Sequence, residues 1–87
     1  MKKITYTVKA EAGLHARPAG LLVKQTAAFK SNIKILNEES GKEADLKRLM
    51  AVMALGVKQG NSIAISADGE DEEEAVAVIE AFLKENF

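Results

Sequence analysis

The chain contains no cysteine and no tryptophan, a single proline, a single histidine, one tyrosine and three phenylalanines. Without cysteine there is no disulfide framework and no thiolate metal site. One histidine also excludes a histidine-rich metal site. Few aromatics and a formal net charge of −1 give no support to a nucleic-acid surface. No apolar stretch approaches the length of a membrane span. The opening Met1-Lys2-Lys3-Ile4-Thr5, followed by Tyr6-Thr7-Val8-Lys9, is too polar for a signal sequence. The expectation is a cytoplasmic, monomeric protein with no cofactor, no metal, no nucleic-acid partner and no membrane insertion.

What is present is an apolar share of 47% over 87 residues, enough for one core in a single domain spanning residues 1–87. Ile4, Tyr6 and Val8 alternate with Lys3, Thr5 and Thr7, the period of a half-buried strand. Glu11-Ala12-Gly13 breaks that pattern. From Ala16 to about Phe29, Leu22, Val23, Thr26, Ala27 and Lys30 follow helical spacing. Ile33 and Ile35 restart a strand, Asn37 to Gly41 reads as a hairpin turn, and Lys42 to Ala44 as a short return strand.

Asp45 is suited to cap a second helix over Leu46 to Leu55, with Gly56 ending it. Ser62 to Ala67 alternates again around Ile63 and Ile65. A last helix opens in the acidic run Glu70 to Glu74, with Ala75, Val78, Ile79, Phe82 and Leu83 as its buried stripe. Consecutive carboxylates point in several directions around a helix, so that run suits a helix start better than a metal site. The predicted order is β-α-β-β-α-β-α, an α+β domain whose four-stranded antiparallel sheet carries three helices on one face.

The segment Gly13-Leu14-His15-Ala16-Arg17-Pro18-Ala19-Gly20 holds both the histidine and the proline. Pro18 fits a first helical turn, where its missing N–H would find no partner. His15 therefore sits where a helix starts, facing free backbone amides and the positive end of the helix dipole. Arg17 adds a guanidinium suited to phosphate oxygens. Two readings fit these local features: an ordinary capping histidine, and a nucleophilic nitrogen that carries a phosphoryl group. A small hydrolase with His15 as base is a third, but no nucleophile–base–orienter set accompanies it.

The active-centre segment, together with Asp45-Leu46-Lys47-Arg48-Leu49-Met50-Ala51-Val52-Met53-Ala54-Leu55-Gly56-Val57, resembles the histidine-containing phosphocarrier (HPr) family of the bacterial phosphoenolpyruvate:sugar phosphotransferase system. The likeness covers essentially the whole chain. It implies an open-faced β-sandwich and a phosphoryl carrier that is not itself an enzyme. His15 would accept the group on Nδ1 from phosphorylated Enzyme I, Arg17 would stabilise it, and sugar-specific permease A domains would take it onward. The docking face implied by the family comprises Gly20, Leu21, Lys24, Lys47, Arg48, Leu49, Met50 and Met53.

On the residues alone, Leu46, Val52 and Leu55 read as core. Leu49, Met50 and Met53 read as an exposed patch, since methionine adapts to several surfaces. Arg48 stands where many family members carry a regulatory serine, and no serine lies between Gly41 and Ser62. The serine switch is therefore not expected here. The resemblance also admits an alternative, a regulatory paralogue of a nitrogen-related phosphotransferase branch that acts as a binding module.

Overall fold

The computed structural model describes all residues, 1–87. The elements run β1 (Lys2–Thr7), α1 (Ala16–Thr26), β2 (Asn32–Asn37), β3 (Lys42–Asp45), α2 (Leu49–Met53), β4 (Ser62–Asp68) and α3 (Glu72–Asn86). The order is the one expected. The four strands form one sheet in the order β1-β4-β2-β3, with every neighbouring pair antiparallel. β4 is central in the chain of pairings and brings the first and fourth strands side by side.

Strand alternation sorts the residues. Ile65 lies in register between Ile4 and Ile35, and Ile63 between Tyr6 and Asn37. Ile33, Ile35, Ile63, Ile65 and Ala67 are buried beneath the helices, with Leu22, Val52, Ile79 and Leu83 in the same core. The alternate positions Lys3, Thr5, Thr7 and Lys34 face solvent, where Lys34 pairs with Glu43 at 3.7 Å. No helix is long and apolar enough to cross a membrane.

Three boundaries differ from the sequence expectation. α1 stops at Thr26, not Phe29. Thr26, fully buried, donates its hydroxyl to the Val23 carbonyl at 2.8 Å and approaches the Leu46 carbonyl at 3.3 Å. The following amides of Ala28 and Phe29 bond three residues back, to Gln25 and Thr26. The helix tightens and ends there.

α2 is a five-residue helix, and Asp45 does not cap it. Asp45 closes β3 instead. Its carboxylate accepts the Lys47 amide at 2.9 Å and its carbonyl the Arg48 amide at 3.0 Å, so 46–48 are taken up in a turn. Arg48 becomes the N-cap, its carbonyl accepting the Val52 amide. Leu46 remains core, because the turn drives it inward while its amide reaches the Ile33 carbonyl.

In α3, which starts at Glu72 with Asp71 as N-cap residue, Val78 is 36% exposed and leaves the buried stripe. The stripe runs Ala75, Ile79, Leu83 and on to Phe87, a strict four-residue step, with Phe82 beside it. Val78 stands one residue off that line.

Asp71 fastens the start of α3 to the α1–β2 connection. Its carboxylate accepts the Lys30 amide at 2.8 Å, the Ser31 amide at 3.0 Å and the Ser31 hydroxyl. The Ser31 hydroxyl foremost, then the Lys30 amide, hold the Asp71 carboxyl at about 2, below its usual 3.8. A depressed carboxylate contributes stability that is complete above the unfolded value and is lost as pH falls through the folded one. Asp71→Asn should therefore be less stable than the parent at neutral pH, with the gap closing between about pH 4 and pH 2. Urea midpoints measured across that range check this; a gap of constant size would assign the loss to something other than the carboxylate charge.

Candidate functional site

The approach to His15 is built from backbone. After β1, Val8 and the turn after α2 exchange bonds: the Val8 amide donates to the Asn61 carbonyl at 2.9 Å, and the Gly60 amide to the Val8 carbonyl at 2.8 Å. Gly13 adopts φ +65°, and its amide reaches back to the Ala10 carbonyl. A Cβ at this position would lie 2.8 Å from Lys58 Cα and would also strike the Val57 carbonyl oxygen. Only glycine allows this approach in this conformation. Leu14 follows, buried, with its amide donating to the Val57 carbonyl at 3.1 Å.

His15 is the N-cap of α1, extended at φ −86° and ψ 164°, with its side chain exposed and making no capping bond. Its carbonyl accepts the Ala19 amide, the first bond of the helix. Pro18, third in the helix and buried, has no N–H to offer. The amides of Ala16 and Arg17, the two residues that follow His15, remain without an acceptor in the chain. Neither ring nitrogen of His15 hydrogen-bonds to the protein, and Arg17 is exposed and forms no ion pair. The imidazole meets one aromatic neighbour, Phe87, edge to face, with ring centroids 6.2 Å apart at 74°.

The remaining sequence-derived residues divide. Leu21 and Met50 stand out as large exposed apolar side chains, at 53% and 82%. Leu49 and Met53, read from the sequence as exposed, are half-buried and pack on the core. Gly20 faces Leu49, whose Cδ2 would be 3.9 Å from a Cβ placed there, so these two join α1 to α2. Lys24 and Arg48 are exposed and free of ion pairs. Lys47 is half-buried and donates its ammonium to the Phe29 carbonyl at 2.7 Å, binding the end of α1. Phe87 is the residue the sequence reading missed. The four-residue step from Ala75 through Leu83 was the available signal.

The family model describing the "PTS HPr component phosphorylation site" matches residues 2–85. The chain belongs to the HPr family. It is 43% identical to the phosphocarrier protein HPr of Mycoplasma genitalium over 86 residues, 99% of this chain and 97% of that protein. A crystal structure of HPr from Thermoanaerobacter tengcongensis superposes with a TM-score of 0.89 at 40% identity, covering 97% of this chain and 92% of the other. A solved histidine-containing phosphocarrier protein of Mycoplasma gives 0.91 at 39% identity, covering 97% and 93%. This HPr-family chain is accordingly a phosphocarrier protein of the phosphotransferase system and not an enzyme.

Gly13→Ala tests the backbone seat of His15. The left-handed conformation and the collision with the Val57–Lys58 backbone together should cost about 1–3 kcal/mol of stability. The His15 ring signals should shift with it. Urea unfolding and the histidine NMR spectrum measure both, and an alanine variant as stable as the parent would show that the seat has room.

Proposed function

We propose that His15 is the phosphoryl acceptor, charged by phosphorylated Enzyme I and discharged to sugar-specific permease A domains. The observation that carries this reading is an uncommitted imidazole next to two unpartnered helix-start amides and an unpaired guanidinium. A ring nitrogen, Nδ1 in the family, uses its lone pair to form the P–N bond as the donor–phosphorus bond breaks. The other nitrogen keeps its proton. The Ala16 and Arg17 amides and the Arg17 side chain then meet the transferred oxygens. None of these groups has a competing protein partner, so the site can take up and give up charge without breaking internal bonds.

Docking falls to the surface around Leu21 and Met50, with Arg17, Lys24 and Arg48 as free cations. Such a surface fits partners with an apolar patch and acidic surroundings. Gly20, Leu49 and Met53 support it from below. Lys47 contributes by holding the end of α1, with its charge engaged. The exposed Arg48 N-cap leaves no hydroxyl for a serine kinase at that position. Residues 1–87 act as one domain, in the cytoplasm and as a monomer. In support of the monomer, β1 pairs along its full length within the chain, and both edge strands begin with lysine.

Incubation with Enzyme I and labelled phosphoenolpyruvate should add one acid-labile phosphoryl group, absent in His15→Ala. Undiminished labelling of that variant would defeat the assignment. In the same assay Arg17→Ala should keep its fold and transfer roughly ten- to hundredfold more slowly, the equivalent of about 1.5–3 kcal/mol from one charge-assisted contact.

Arg48→Glu reverses one of the free cations. It should slow association with Enzyme I, most strongly at low salt, while leaving dissociation nearly unchanged. Stopped-flow binding across a salt series measures this, and equal association rates at low ionic strength would remove Arg48 from the docking surface.

A further inference from the structure

The imidazole of His15 is held by no hydrogen bond, yet group transfer needs it in a defined orientation. The extended backbone at His15 sets the direction of its Cβ and leaves two side-chain torsions to be fixed. The group placed to restrict them is Phe87, whose ring meets the imidazole at 6.2 Å and 74°. That arrangement lies within the range in which aromatic pairs attract each other.

Phe87 is itself firmly held. Its amide donates to the Leu83 carbonyl at 2.8 Å, and its main-chain oxygen accepts the amides of both Lys9 and Ala10. The residue is only 4% exposed, and its ring packs against Phe82, centroids 6.2 Å apart. The residue therefore forms a firmly tied wall beside an imidazole that no hydrogen bond holds. It touches neither the Ala16 nor the Arg17 amide through any hydrogen bond, and it is remote in sequence from both helices of the docking face.

We infer that Phe87 is a positioning residue for phosphoryl transfer, restricting the His15 imidazole to rotamers from which a ring nitrogen is presented to the helix start and the incoming donor. The inference rests on His15 being the acceptor. Fixing the ring beforehand removes part of the ordering that the transition state would otherwise require. The wall acts on the reacting side chain and not on docking, so its loss lowers the kcat of phosphorylated Enzyme I acting on this chain and leaves Enzyme I's KM for the chain unchanged.

Three chains decide it: the parent, Phe87→Leu, which keeps apolar bulk without a ring, and Phe87→Tyr, which keeps the ring. The parent should show nuclear Overhauser contacts between the His15 and Phe87 ring protons, with the His15 ring signals displaced from random-coil positions. In Phe87→Leu those signals should return toward random coil and kcat should fall about three- to tenfold at constant KM. Phe87→Tyr should restore both. Absence of the ring contact in the parent, which needs no variant to fold, overturns the inference. So does a folded Phe87→Leu chain with parental kcat, or a rise in KM alone. Loss of labelling at His15 in the parent would instead strike the acceptor assignment, a separate outcome read in the first assay.

Discussion

The Leu14 amide bonded to the Val57 carbonyl, with Gly13 pressed against Lys58, is the contact from which the site's geometry follows. It joins the segment that enters α1 to the segment that leaves α2. The start of α1 is thereby fixed relative to the end of α2, and His15 has one place to stand. Two further ties complete the frame: Thr26 and Lys47 link the end of α1 to the turn before α2, and Asn37 donates to the Leu55 carbonyl from the β2 terminus. Each involves a main-chain carbonyl that would otherwise lie unsatisfied near a helix end or turn. The helical layer is held at both ends by polar contacts, while Leu22, Val52 and Ile79 fill its interior.

A rigid frame suits a carrier that must meet more than one partner. The surface proposed for recognition is small, with Leu21 and Met50 as its exposed apolar side chains, and the cations Arg17, Lys24 and Arg48 assigned to it are not neutralised by internal ion pairs. Surfaces of this kind favour fast electrostatically guided encounters over long residence. The acidic side chains at the start of α3 are separate from this surface in sequence, and Asp71 among them is committed to Lys30 and Ser31.

Most of the fold was legible because alternation and helical spacing act locally. The alternating burial of Ile4, Tyr6 and Val8 appears in the structure as read, with β1 itself ending at Thr7, and so does the helix start at His15–Pro18. What was not legible depends on residues distant in sequence. Asp45 has the composition of a helix cap, but its place at the end of β3 turns its carboxylate to the Lys47 amide two residues on. Lys47 reads as a free charge until the Phe29 carbonyl is placed next to it. Leu49 and Met53 were expected outside because a short helix cannot bury every apolar side chain; packing selected Met50 as the one turned out. At the site, His15 and its local amides were readable from their own segment. Phe87, 72 positions further along the chain, was not.

The strand order β1-β4-β2-β3 has a bearing on when the acceptor proposed at His15 exists at all. The groups that seat His15 come from Lys9–Ala10, Gly13–Leu14, Val57–Lys58 and Phe87, and the second and third of these meet only when β1 has found β4 across most of the chain. Such long-range closure is the entropically demanding part of acquiring a fold. A chain with only its β2–β3 hairpin and isolated helices would contain the histidine without its surroundings. With His15 as the proposed acceptor, phosphorylation competence would be a property of the completed tertiary structure, and donor proteins that require the seated imidazole would pass over nascent or damaged copies.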